Sequence, residues 1–185
     1  MNIKHILVGV DFGPATDAVL AYAAHFAAAT GSSLNLLHVI DYLITPPAYL
    51  APYMEKEKEA AEENFTFLKK YLAEKGIGSE TEVVVGRLHE SFTVALEKAH
   101  ADMVILGFVA HVFRRSSSEK LIKGLEVPML VVRGEKADAA RSGHAAVKKI
   151  LCPVDLSDQS RKALAAAKEL KAIFDGDLEV LSVIP

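Results

Sequence analysis

The sequence has no tryptophan and only one cysteine, Cys152. One cysteine cannot close an intramolecular disulfide, nor found a cysteine-based zinc site. Long apolar runs are also missing. Asp, His or Lys interrupts every stretch before it reaches the roughly 18 apolar residues that a membrane helix needs. The first apolar run, Ile6 to Val10, is broken by Gly9 and is too short for a secretory leader. No sign of charge dominates. The net charge of −3 sets up no global field toward nucleic acid or anionic lipid. These absences together lead us to expect a cytoplasmic protein. Catalytic signatures are missing as well: no Gly-Lys-Ser/Thr phosphate loop, no G-x-G-x-x-G, no G-x-S-x-G and no H-E-x-x-H. His38, His89 and His111 fall near one predicted sheet edge, but none has an i, i+4 partner, so no metal is expected. What is present is the stuff of a packed core. Hydrophobic residues make up 51% against 24% charged, a balance that rules out general disorder.

Short Val- and Ile-rich runs alternate with helical stretches. Lys4 to Val10, Leu34 to Ile40, Glu80 to Val85, Met103 to Leu106 and Val127 to Val132 read as strands buried on both faces. Between them lie an Ala-rich helix from about Pro14 to Ala29 and a long charged helix from Tyr53 to Lys75. A short helix over Glu90 to Ala99 follows, and then one opening at the capping box Ser116-x-x-Glu119 and running to about Leu125. This order predicts right-handed crossovers and an open five-stranded parallel sheet of Rossmann-like α/β class, with helices on both faces. Ligands of such sheets bind beyond the carboxyl ends of the strands, where strand order reverses. Here that edge would carry Asp11, the residues around Val39 and the loop starting at Gly107.

The most informative feature is internal. Residues Lys148 to Ile184 repeat Lys4 to Ile40 without a gap, at an offset of about 144 positions and with roughly a third of the pairs identical. Ile6, Leu7, Val10 and Asp11 recur as Ile150, Leu151, Val154 and Asp155. The expected organisation is therefore a complete α/β unit over 1–135, a polar linker over 136–146, and an extra β-α-β unit over 147–185 that copies only the start of the first. We expect a tandem ancestor cut short, with a full second copy extending about 90 residues further.

The motifs ILVGVD at Ile6–Asp11, ILCPVD at Ile150–Asp155, ADMVILG at Ala101–Gly107 and SSSEKLI…VPMLVVR at Ser116–Arg133 occur in an order that resembles the universal stress protein family. The resemblance spans essentially the whole chain. It implies strand order 3-2-1-4-5 and dimers that pair through the last strand, with tandem members pairing their two units the same way. It also implies that some members bind ATP and others do not. In those that do, the nucleotide meets an Asp after strand one, backbone at the end of strand two, and a loop after strand four of the form G-x2-G-x9-G-[S/T]. Glycines let the backbone approach phosphate oxygens, and the closing Gly-Ser presents amides at a helix start.

Carried over by position, Asp11 matches the Asp, Val39 the strand-two contact and Gly107 the first glycine, while Ser116 matches the hydroxyl residue, followed by Ser117. The sequence departs elsewhere. Ala110 stands for the second glycine and Arg115 for the closing one, and the stretch between them is about five residues short. A loop so reduced is expected to hold ATP poorly, although Arg114, Arg115 and the following serines offer charge and donors to a smaller anion or AMP. Two roles are open to Asp11: contact with a ligand, or holding the turn into the next helix.

The expected function is that of a stress-response protein acting by binding a ligand or a partner, not by catalysis, with a degenerate ATP loop. The first alternative is an ATP- or AMP-binding member with an unusual short loop. The second is a dimerisation module with a vestigial pocket. A homodimer or higher oligomer is expected, through Val127–Val132 and the 147–185 segment, because the partial copy would leave an unpaired apolar strand edge. Neither nucleic acid nor membrane is expected as a partner.

Overall fold

The computed structural model describes residues 2–41, 50–108, 117–133 and 147–182. The first unit runs β1 (His5–Gly9), α1 (Thr16–Thr30), β2 (Ser33–Ile40), α2 (Leu50–Glu74), β3 (Ser79–Val85), α3 (Leu88–Ala99), β4 (Met103–Phe108), α4 (Ser117–Gly124) and β5 (Met129–Arg133). Its five strands form one sheet in the order β3-β2-β1-β4-β5. β1 is central and parallel to both neighbours. Ile6, Leu7 and Val8 lie beside Leu34, Asn35 and Leu36 of β2 on one side, and beside Met103, Val104 and Ile105 of β4 on the other.

The period-two rule sorts β1 between two cores. Ile6, Val8 and Val10 join the layer under α1 and α2, with Val19, Ala23, Phe65 and Leu72. Leu7 joins the opposite layer under α3 and α4, with Phe92, Ala95 and Leu121. Ile6, Leu7 and Val8 are 2% exposed or less, so each contributes about 1.5–3 kcal/mol by leaving water. The alanines of α1 let that helix lie close to the sheet, as the composition implies. At the amino edge, the Asp102 carboxylate accepts the N–H groups of Lys4 at 2.7 Å and His5 at 3.1 Å. These two backbone bonds hold its carboxyl below the ordinary carboxylate range.

Several boundaries differ from the sequence reading, each for a local reason. α2 begins at Leu50, not Tyr53, because Pro52 then falls in the first turn, where no N–H is needed. α1 begins at Thr16, after a turn closed by the Thr16 N–H on the Gly13 carbonyl. β5 begins at Met129, one residue past Pro128, whose carbonyl accepts from the Val104 N–H. Gly107, expected to end β4, lies inside it, since the strand continues to Phe108.

The repeat forms its own small layer: β6 (Lys149–Val154), α5 (Asp158–Phe174) and β7 (Asp177–Ser182). β6 and β7 pair in parallel, as β1 and β2 do, in a two-stranded sheet. Ser157 caps α5, its Oγ accepting from the Ser160 N–H at 3.1 Å. The two units meet helix to helix. Phe174 of α5 sets its ring 4.6 Å from that of Phe26, edge to face, and 4.9 Å from that of His25 of α1, nearly parallel. Phe26 and Leu170 occupy the same repeat position, and both belong to this contact zone.

The other face of the small sheet carries a contrast. Leu7 and Leu37 are 2% and 1% exposed, whereas their repeat counterparts Leu151 and Leu181 are 59% and 48% exposed. The difference is the layer above them. α3 and α4 cover the first pair, and no described helix stands over the second.

Candidate functional site

The reversal of strand order falls between β1, whose chain next passes through α1 to β2, and β4 on its other side. At their carboxyl ends the backbone of Gly9 and Val10 meets His38 and Val39 of β2 and Gly107 of β4, with Phe92, Leu106 and Leu121 forming the floor. The sequence reading named Asp11, Val39 and Gly107, and the fold brings all three to this cleft. Ala110, Arg115 and Ser116 lie outside the described residues, as does His111, and Ser117 is placed as the first residue of α4.

Asp11 is exposed at the mouth. Its Oδ1 accepts the Gly13 N–H at 2.8 Å and the Thr16 hydroxyl at 3.3 Å. The carboxylate therefore closes the turn that starts α1. Phe12, between them, takes a left-handed backbone with φ of 55°, a costly state for an aromatic residue unless its surroundings fix it. They do so here. The Phe12 ring packs 4.9 Å from His38 and 5.2 Å, edge-on, from Phe65. The same turn is built again in the repeat, where Asp155 Oδ1 accepts the Ser157 N–H at 3.0 Å and Leu156 has φ of 67°. Hydrogen bonds from the Ser157 side chain and backbone, then from the Ser160 hydroxyl, push the Asp155 carboxyl down to about 2.

The sequence reading places His38 near this edge and weighs it only as a metal ligand, not as a ligand-binding residue. Its Nδ1 lies 2.8 Å from the Val10 carbonyl. A carbonyl only accepts, so Nδ1 carries the proton, and in the neutral ring Nε2 is an acceptor. The signal was available in the LLHVI strand, because a histidine at a strand end beside an Asp-bearing turn marks a polar group at the sheet edge.

Two close approaches shape the cleft. A β-carbon on Gly107 would stand 3.1 Å from Val19 Cγ2 and 3.2 Å from Ala15 Cβ, so this glycine lets α1 lie against β4. A β-carbon on Gly9 would stand 2.7 Å from Leu106 Cδ2. The described walls enclose about 100 Å³, less than the roughly 300–1,000 Å³ of a drug-sized pocket. A second hollow of about 180 Å³ lies between α3 and the β2–β3 pair and is lined by Asn35, Glu82 and Lys98. Its Lys98–Glu82 ion pair at 2.7 Å is mostly exposed. It sits away from the carboxyl edge, so the cleft at Gly107 is the better candidate. Among the described residues no group of His, Cys, Asp or Glu converges on a metal geometry, and no helix is long and apolar enough to cross a membrane.

The arrangement can present an acidic turn, an imidazole acceptor and exposed strand-end backbone to a small planar or polar ligand.

Comparison with known proteins places this geometry. Residues 2–133 and 146–185 match the universal stress protein family. The solved structure of the hypothetical protein MJ0577 is 26% identical, with a TM-score of 0.63, and the alignment covers 74% of this chain and all of that one. A universal stress protein from Archaeoglobus fulgidus DSM 4304 is 20% identical with a TM-score of 0.79, the alignment covering 100% of this chain and 69% of that one. The universal stress protein from Archaeoglobus fulgidus solved in complex with dAMP is 17% identical, with a TM-score of 0.54 over 71% of this chain and 98% of that one. No match was found among curated proteins. With the order β3-β2-β1-β4-β5 observed and the family pattern matched in both the full unit and the partial repeat, the chain belongs to the universal stress protein family.

Proposed function

We propose that this protein works by binding, not by catalysis, and that the cleft at the ends of β1, β2 and β4 takes a compact adenine nucleotide such as AMP, with a triphosphate held no better. One observation carries the reading. Asp11, His38, Val39 and Gly107 converge at the point where strand order reverses. The relative solved with dAMP supports this ligand class. The loop residues Ala110 and Arg115, standing where the family pattern has glycine, support weak hold on the outer phosphates. By sequence position, Ser116 matches the hydroxyl residue of the family pattern and Ser117 follows it, which supports a hold on the remaining phosphate. Calorimetric titration with AMP, ATP and inorganic phosphate tests this. AMP should bind, ATP should bind no tighter, and Asp11→Ala should weaken both. ATP binding more than tenfold tighter than AMP would overturn the degenerate-loop reading. Silence toward all three would overturn ligand binding altogether.

A second reading rests on a separate observation. Leu151 and Leu181 keep the residue type of a buried face while about half exposed. Surfaces of this kind mark association sites, and β6 has an edge that no described strand occupies. The occupant we assign is a second copy of the chain, which brings an identical apolar face and edge, so that a two-fold pairing buries both at once.

A further inference from the structure

The contact between the two units contains one polar atom without a partner. His25 Nε2 is buried and makes no hydrogen bond among the described residues. Its ring lies nearly parallel to that of Phe174, tilted by 24° at 4.9 Å, and Phe174 also packs edge-on against Phe26. A neutral imidazole tolerates this, since its bare nitrogen loses only a weak acceptor interaction. An imidazolium does not, because it would place an N–H and a charge where no acceptor stands.

We propose that His25 is a proton-sensitive latch: the neutral ring stacked on Phe174 holds the β6–α5–β7 unit against α1, and protonation of His25 releases it.

The neighbouring groups fit this role. One turn away along α1 stand Ala21, Tyr22, Ala28 and Ala29, of which only Tyr22 is ionisable. On α5, Phe174 is flanked by Leu170 and Lys171 one turn earlier and by Asp175 at the helix end, with Glu169 beside Leu170. Lys171, Glu169 and Asp175 are exposed. Burial lowers the His25 pKa from its ordinary 6.5. The sign follows from the proton count. The docked state binds fewer protons than the undocked one, so docking is at full strength above pH 6.5 and is lost as pH falls below that value. Release would uncover Phe26, Leu170 and Phe174 together.

The test is an NMR titration of the full chain from pH 8 to pH 5, following the His25 ring signals and the cross peaks between the His25 and Phe174 rings. We expect His25 to titrate below 6.5, with the cross peaks lost as it does. In Phe174→Ala, His25 should return to its ordinary value while the β1–β4 resonances stay unchanged. In His25→Phe, the cross peaks between rings 25 and 174 should persist to pH 5. The same His25 midpoint in the wild type and in Phe174→Ala would overturn the proposal. So would ring cross peaks that survive full protonation of His25.

Discussion

The Phe92 ring lies directly over Gly9, its Cζ 2.8 Å from where a β-carbon on that glycine would stand. β1 and α3 can approach this closely only because position 9 has no side chain, and the floor of the cleft is set by that contact.

Gly9→Ala should therefore be destabilising. The new methyl meets Phe92 and Leu106, both about 3% exposed and without room to retreat. Overpacking of this kind costs about 1–3 kcal/mol. Urea denaturation should show a lower midpoint with an unchanged slope. A midpoint equal to that of the wild type would mean that the floor is softer than its packing implies.

Gly107→Ala should cost less. Its methyl would meet Val19 and Ala15 at 3.1 Å and 3.2 Å, a tight fit offset by the lower chain entropy of alanine in the unfolded state, about 0.4–1 kcal/mol. The net change should stay within about 1 kcal/mol. The two glycines, measured side by side in the same denaturant series, should rank with Gly9 the more sensitive.

The turn that opens the repeat carries a pH signature. Bonds from Ser157 and Ser160 lower the Asp155 carboxyl from 3.8 to about 2. A lowered acid stabilises the folded form above its unfolded value, so the turn should be intact above about pH 3.8 and weaken as pH falls toward 2. In Ser157→Ala the Asp155 carboxyl resonance should titrate closer to 3.8, and amide exchange in the first turn of α5 should quicken, because the cap contributes about 0.5–2 kcal/mol. An unmoved Asp155 midpoint would show that the serine is not its main partner.

The apolar face of the small sheet separates association from folding. Leu151→Lys changes a side chain that is 59% exposed, so unfolding free energy should move by no more than about 0.5 kcal/mol. Sedimentation should nevertheless shift toward monomer if a second copy covers this face. A wild-type protein that sediments as a monomer at micromolar concentration would remove the assigned partner.

The continuous apolar runs and the glycine punctuation in the sequence specify the strands and their parallel pairing, because a strand buried on both faces must be apolar at every position. The gapless repeat from Lys148 specifies a second β-α-β, and the structure adds that the residue after each aspartate is left-handed. Gly107 was legible as a residue at the sheet's carboxyl edge but not as an interior strand residue, since its place depends on how near Ala15 and Val19 come from another element. His38 was legible at that edge, but its hydrogen bond was not, for a similar reason. Its proton is fixed by the Val10 carbonyl, 28 residues away in the chain.

By itself, then, the sequence determined the family, the sheet and the position of the cleft, because all of these follow from local apolar pattern and repeated short motifs. The tertiary structure alone decided that the partial repeat rests on α1 through Phe174, that His25 is left with a bare buried nitrogen there, and that Leu151 and Leu181 remain open to water. The physical reason is that burial belongs to pairs of surfaces. The same leucine is core at position 7 and surface at position 151, according to whether a helix stands over it.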